Sequence, residues 1–250
     1  MPNLAWGITG ASDKLLDTFA EVEKIAAMDN VRITTFISQA GVELVKHFGL
    51  QSRLTAISDG SPWREIVGPR THGESAYLAC RFFAREYEAL LVAPCSSNTL
   101  CKLSAGICDT PVTNAAMWAA KGNLSVFLLQ THMTMGQCDS PLFVRVKDEA
   151  CKRCDVCPPV EVCDAEAISR SKDKFPRIRL FKCVRCGDCV PACPFGAVAS
   201  GERFRLNRRM VDQEAAERVT EIKGMAVLGE TRQIEPTLKR YAVEHDGPPL

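Results

Sequence analysis

The chain has 250 residues, 46% of them hydrophobic and 24% charged, with a formal net charge of +1. That balance suits a soluble globular protein with a sizeable core, and it supplies no global field for holding nucleic acid or an anionic membrane. No apolar stretch is long enough for a membrane span, and the N-terminus has neither the basic start nor the apolar run of a secretory signal; a cytoplasmic location is expected.

The first half alternates between apolar runs and helical patterns. Leu4–Thr9 reads as a strand closed by Gly10-Ala11-Ser12, and Leu15, Leu16, Phe19, Val22, Ile25 and Ala26 then recur at helical spacing. Val31–Ile37 is rich in β-branched residues and reads as a second strand, and Val42–Phe48 as a helix. Residues 51–73 carry Gly60, Pro62, Gly68, Pro69 and Gly73 and read as a long loop with room for a short strand. Ser75–Tyr87 reads as helix, Ala89–Ala93 as a fully apolar strand, Thr99–Ala105 and Asn114–Ala120 as helices, and Val126–Gln130 as the last buried strand. Apolar strands without alternation imply a sheet covered on both faces, so the prediction is a three-layer Rossmann-like α/β domain with a parallel sheet over residues 1–147. A small α+β domain follows at 148–208, including a basic hairpin-like stretch at Phe175–Lys182. Residues 209–250 read as a helix, Val211–Ile222, and a polar tail without a motif.

Cysteine usage separates the two halves. Eight of thirteen cysteines fall between residues 151 and 193. In a reducing compartment such clustering points to metal or redox work rather than disulfides. Cys183, Cys186, Cys189 and Cys193, followed by Pro194, form the C-x2-C-x2-C-x3-C-P run of bacterial ferredoxins, in which three thiolates hold one cubane and the fourth serves the other. Cys151, Cys154, Cys157 and Cys163 form a looser copy with five residues before its fourth cysteine and Asp164 in place of proline. The stretch from Cys163 to Ile168 nonetheless repeats the apolar positions of Cys193 to Val198. Crossed ligation then predicts one 4Fe–4S cluster on Cys151, Cys154, Cys157 and Cys193, and a second on Cys183, Cys186, Cys189 and Cys163. Zinc would ask for two pairs with a longer spacer; two triplets with displaced fourth cysteines suit cubanes better.

In open parallel sheets ligands bind beyond the carboxyl ends of the strands. Three loops there carry small hydroxyl and amide groups: Thr9 to Ser12, Ser38 to Gly41, and Pro94 to Thr99. Each alone reads as readily as a helix cap; together they favour a cofactor. Gly7 to Ser12, Ala93 to Thr99 and Gly106 to Thr110 resemble the motifs of the FMN-binding flavoproteins of the cysteine-decarboxylase type, over roughly residues 3–130. By that resemblance Thr9, Gly10 and Ser12 lie by the FMN phosphate with Ser38 nearby, and Ser96, Ser97, Asn98 and Thr99 lie by the isoalloxazine ring. The resemblance also implies a homo-oligomer built from trimers. Two departures separate this chain from the decarboxylases. Cys80 stands where they carry a catalytic histidine, and Leu128 to Met133 replaces their segment for the substrate carboxylate.

An FMN domain joined to a two-cluster ferredoxin is similar to the acceptor-dependent dihydromethanopterin reductases and related archaeal-type iron–sulfur flavoproteins. The expected function is therefore an oxidoreductase that takes electrons from an external one-electron donor, a ferredoxin-like protein. They would pass through two 4Fe–4S clusters to FMN, and on to a dihydropterin such as dihydromethanopterin. An electron-transfer flavoprotein without a small substrate, or an FMN-dependent cysteine decarboxylase, are the alternatives. No catalytic residue is assigned. His72 and His132 are candidate proton donors, though each reads more readily as a solvated side chain. Cys95 could touch the ring or be a small buried thiol, Trp63 and Trp118 could stack on a flat ring or pack the core, and Arg203, Arg205, Arg208 and Arg209 could dock an acidic carrier or be a solvated strand. Cys80, Cys101, Cys108 and Cys138 receive no ligand role.

Overall fold

The computed structural model describes the chain except residues 70–77, 79, 132–136, 142–143, 185, 208 and 244–250, and except the side chains of 137–141, 203–207 and 243. The candidate groups on His72, His132, Cys138, Arg203, Arg205 and Arg208 lie outside the described residues or side chains.

Six strands form one parallel sheet: β1 (Asn3–Ile8), β2 (Arg32–Ile37), β3 (Ile66–Val67), β4 (Ala89–Cys95), β5 (Ser125–Gln130) and β12 (Met225–Leu228), in the order β12-β5-β4-β1-β2-β3. Every residue of β1, β4 and β5 is buried, as uninterrupted apolar runs require when helices cover both faces. One face carries α1 (Leu15–Ala26), which buries Leu15, Phe19, Val22 and Ile25 at helical spacing. The Trp6 indole lies edge-on to Phe19 and donates to the Ala93 carbonyl at 2.8 Å, so burying its N–H leaves no orphan. Against the other face pack α4 (Ser97–Ser104), α5 (Pro111–Lys121) and α8 (Met210–Glu221), closing a core that includes Leu90, Val92, Leu100, Ala116, Val126, Leu128 and Val219. α5 starts sharply because Pro111 occupies its first turn and Thr110 and Thr113 cap one another's backbone amides.

The structure differs from the sequence expectation in three places. Gln51–Ile57, inside the expected loop, is a helix, α3, that buries Leu54 and Ile57; α2 (Gln39–His47) precedes it. β5 is not the last strand, since β12 pairs with it in parallel, Met225 opposite Val126 and Leu228 opposite Leu129. The segment after 209 is accordingly part of the sheet unit, which comprises 1–46, 50–134 and 208–250, and it ends in α9 (Ile234–Val243), packed on α1. The cysteine-rich segment is thus inserted into the crossover that leads from β5 through α8 to β12.

The second unit, residues 47–49 and 135–207, is built of two-stranded ladders and single helical turns. β6 (Gln137–Pro141) pairs with β11 (Arg203–Asn207). β7 (Arg145–Val146) pairs with β10 (Val198–Ala199), and β8 (Ile168–Arg170) with β9 (Pro176–Ile178). The strand before each cysteine run therefore pairs with the strand after the other run. The same crossing recurs in single hydrogen bonds: the Lys147 amide donates to the Ala197 carbonyl and the Arg179 amide to the Ala167 carbonyl, both at 2.7 Å.

Candidate functional site

Strand order reverses at β1, whose neighbours are β2 on one side and β4 on the other. The loops after β1 and β4 consequently open side by side at the carboxyl rim, where a doubly wound sheet holds its ligand. The buried Thr9 hydroxyl ties them together: it donates to the Pro94 carbonyl at 2.6 Å and accepts from the Ser96 amide at 2.9 Å. Ser96 caps α4, its Oγ accepting from the Thr99 amide at 3.3 Å and lying 3.1 Å from Thr99 Oγ1. Ser38 caps α2 in the same way, accepting from the Gly41 amide at 3.1 Å. Gly10 lets the β1 and β2 loops touch, since a Cβ there would sit 2.5 Å from that of Ala40.

Of the eight predicted FMN residues, Thr9, Ser38, Ser96 and Thr99 spend hydroxyls on fixing these loops. Ser12 and Ser97 are half-buried and Gly10 and Asn98 exposed along the rim. Two features of the rim fit an anionic, hydrogen-bonding group. α1 has no side-chain cap at its N-terminus, so amides of its first turn remain for a phosphate. Gln130, at the carboxyl end of β5, is 1% exposed, and neither atom of its carboxamide has a hydrogen-bond partner. Sequence reasoning missed Gln130, and it missed Lys14. That residue takes a left-handed φ of 61° and sends its ammonium to the carbonyls of Gln130 at 3.2 Å and Gly229 at 2.8 Å. The second partner could not be foreseen while β12 was unrecognised.

Other candidates resolve to packing. Cys95 is fully buried, and burial pushes its thiol up to about 12, so it is a neutral core group. Trp118 stands edge-on to Phe83 under Lys121, and Trp63 lies between Arg81 at 4.2 Å and Arg32 at 5.4 Å. Cys101 lies 3.8 Å from Asp212 Oδ1, and the exposed Arg209 forms an ion pair with that carboxylate at 2.7 Å. Cys80 and Cys108 are exposed.

In the second unit the eight cysteines fall into two fours. Cys151, Cys154, Cys157 and Cys193 line one cavity. Cys163, Cys183, Cys186 and Cys189 line another. These are the fours that crossed ligation predicts. Among the described residues no group of three or more His, Cys, Asp or Glu is disposed to hold a single metal ion. Four thiols lining one cavity are the ligand number that a cubane asks for. Burial, then the neighbouring Cys183, Cys186 and Cys163, push the Cys189 thiol up to about 11, and burial, then Cys151, Cys154 and Cys193, raise that of Cys157.

The five-residue spacer of the first run is absorbed locally. Residues 158–161 form a helical turn, α6 (Pro158–Glu161), where the second run has α7 (Cys189–Ala192). Past each fourth cysteine the chain makes the same turn. Glu166 donates to the Cys163 carbonyl at 2.8 Å and Gly196 to that of Cys193 at 3.1 Å, with φ of 47° and 61°. The Ala167 amide also reaches Cys163 Sγ at 3.3 Å.

A switch-point rim shaped for a flavin nucleotide and a ferredoxin-type cysteine unit together define an iron–sulfur flavoprotein. A family model described as Flavoprotein matches residues 1–153, and one described as a 4Fe-4S binding domain matches 176–199. The chain belongs to the Flavoprotein family. Over 90% of its length it is 36% identical to dihydromethanopterin reductase (acceptor) of Methanosarcina mazei, covering 94% of that protein, and 31% identical to the enzyme of the same name from Methanocaldococcus jannaschii, covering 91%. With these relatives it is an oxidoreductase. The fold is also that of Burkholderia xenovorans DmrB, described as a cubic protein cage for redox transfer and solved with FMN, at TM-score 0.54 and 14% identity, with 96% of this chain and 94% of that one covered. The FMN-dependent cysteine decarboxylase SpaF shares it at TM-score 0.51 and 11% identity, with 97% and 98% covered. Among the described residues no helix is long and apolar enough to cross a membrane.

Proposed function

We propose that this chain is an acceptor-dependent dihydropterin reductase, with dihydromethanopterin the model substrate. FMN would be held at the switch-point rim by Thr9, Gly10, Ser12, Ser38, Ser96, Ser97, Asn98 and Thr99, and two 4Fe–4S clusters by the two fours of cysteines. The observation that carries this reading is the pairing of that rim with two four-thiol cavities in one chain whose relatives, over 90% of its length, bear the reductase name. Cubanes exchange single electrons and a flavin can gather two for a hydride, so one-electron input and two-electron output meet in one protein. The protein's own share is position: the Thr9, Ser96 and Thr99 network fixes the loops that would face the ring, and the uncapped start of α1 would face the phosphate. The electron donor is an external ferredoxin-like carrier, and the assembly is a homo-oligomer built from trimers, as the family resemblance implies.

The test is an anaerobic turnover assay with a reduced viologen and dihydromethanopterin. Dihydropterin-dependent oxidation of the viologen is expected. Viologen oxidation that is indifferent to the pterin, with electrons passing only to another redox protein, would replace this reading with a pure electron carrier.

A further inference from the structure

The hairpin of β8 and β9 borders both four-thiol cavities, and strand alternation divides its side chains between two faces. On the inner face, Pro176 lines the cavity of Cys151, Cys154, Cys157 and Cys193, and Ile168 and Ile178 line that of Cys163, Cys183, Cys186 and Cys189. Arg170, opposite Pro176, donates to the Cys154 carbonyl at 2.8 Å. The outer face carries Ser169 and Arg177, paired across the ladder, and the exposed Arg179 follows just beyond. From 170 to 182 the sequence sets six cations, Arg170, Lys172, Lys174, Arg177, Arg179 and Lys182, against one carboxylate, Asp173. Lys174 is held by Asp155, and Asp173 by Arg153 at 3.4 Å. Lys172, Arg177 and Arg179 are exposed and have no carboxylate partner among the described residues; Asp164 and Glu166, just before β8, are exposed and bonded to none of them. Where the hairpin leads into the second cysteine run, Leu180, Phe181 and Val184 stand in solvent, Phe181 78% exposed, and Cys186 just beyond them is exposed as well. Single exposed apolar side chains are ordinary. Three of them with an aromatic at the centre, beside unpaired arginines, have the composition of a protein interface.

We propose that this face is where the electron donor docks. A small acidic carrier protein sets its carboxylates on Lys172, Arg177 and Arg179 and packs an apolar spot on Leu180, Phe181 and Val184. The inference rests on the reading above in which electrons enter through the cysteine unit. Charge complementarity selects the occupant: unpaired cations call for a partner of opposite sign, whereas a self-pairing contact between two copies would set these arginines against their own counterparts. A carrier laid on the outer face is separated from both cavities by one layer of strand, whose inner side chains line them. Each encounter moves one electron from the reduced carrier to a cubane of this chain; the carrier is oxidised, the cubane is reduced, and no bond forms or breaks. The cations speed and orient the encounter, and the apolar three give it the dry centre that holds it.

The experiment is stopped-flow reduction of the full-length protein, reconstituted anaerobically with iron, sulfide and FMN, by two donors in parallel. One is a reduced bacterial-type ferredoxin rich in Asp and Glu. The other is reduced methyl viologen, a small cation that needs no docking face. With the ferredoxin, the second-order rate constant for cluster bleaching should fall steeply as ionic strength rises; with the viologen it should not fall. Arg177→Glu combined with Arg179→Glu should slow the ferredoxin about tenfold or more at low ionic strength and flatten its salt dependence. The same variant should keep its iron content and oligomeric state and should not slow the viologen. Arg177→Lys with Arg179→Lys should hold the ferredoxin rate, because charge rather than fork geometry does the steering. Phe181→Ser should slow the ferredoxin and leave the salt dependence in place. A charge-reversed variant as fast as the parent with ferredoxin, or slowed alike with both donors, would overturn the inference. A changed oligomeric state in either variant would give the face to a second copy of the chain and overturn it too. FMN reduced directly by both donors, with the clusters silent, would remove the entry route itself and the docking face with it.

Discussion

The sheet unit and the cysteine-rich unit are held together by different physics. In the first, β1, β4 and β5 are wholly buried and a continuous apolar core runs from Ala5 to Met225. In the second, the core among the described residues comprises Val144, Ala167, Ile168 and Val198 together with Cys183 and Cys189, two residues that the proposed reading makes cluster ligands. A core that small offsets little of the entropy of ordering its chain, and on the proposed reading cluster binding supplies the balance. On the proposed reading, the sheet unit should fold before its flavin arrives, and the cysteine-rich unit should fold around its clusters.

The largest expected effect breaks the comparison open. Stripping iron with a chelator should abolish hydrogen-exchange protection between residues 144 and 199 while β1, β4 and β5 keep theirs; protection persisting in both regions would mean that the second unit stands without metal. Leu90→Ala, in the fully buried centre of β4, should cost about 3 kcal/mol in urea unfolding of the sheet and leave the visible absorption of the native clusters unaltered. Glu166→Gly tests the internal repeat. Glu166 holds the left-handed turn that Gly196 holds in the second run, so the glycine should relieve about 1 kcal/mol of backbone strain and slow cluster loss to a chelator. Thr110→Ala removes the cap of α5 and should lower the stability of the sheet by about 1 kcal/mol.

The smallest effect is a pH dependence confined to the sheet unit. Burial raises the Glu65 carboxyl, but the Arg81 guanidinium, bonded to both its oxygens at 2.9 and 3.1 Å, and hydrogen bonds from the Glu65 and Trp63 backbone together outweigh it, and the net shift is downward. A lowered folded-state pKa gives stability that is present above the unfolded carboxylate value and is lost as pH falls through the folded one. Glu65→Gln should therefore destabilise by under about 1 kcal/mol near neutrality, with the difference fading in acid.

Most of the sheet was legible because its strands are uninterrupted apolar runs such as Ala89–Ala93. β12 was not. Its four residues, Met225–Leu228, pair with a strand far earlier in the chain, so no local pattern marks them. α3 was obscured by Gly60 and Pro62, which follow it and gave its whole neighbourhood the look of a loop. The cysteine spacing carried the grouping into fours, since crossed sharing is a property of the motif. That Lys174 lines the first cavity was not legible, because it arrives from the strand connection after β8 rather than from the cysteine run. At the rim, the hydroxyl-rich loops marked segments that the structure brings together beyond the carboxyl ends of β1 and β4. Lys14 and Gln130 escaped notice because each matters through a tertiary neighbour.

The central claim, that one flavin and two cubanes share this chain, is tested most directly by counting electrons. Anaerobic titration of the reconstituted protein with a calibrated reductant, read by visible absorption, should consume about four electron equivalents per chain, two for the flavin and one for each cubane. Uptake of about three, with a full complement of FMN, would contradict the account by leaving a single working cluster.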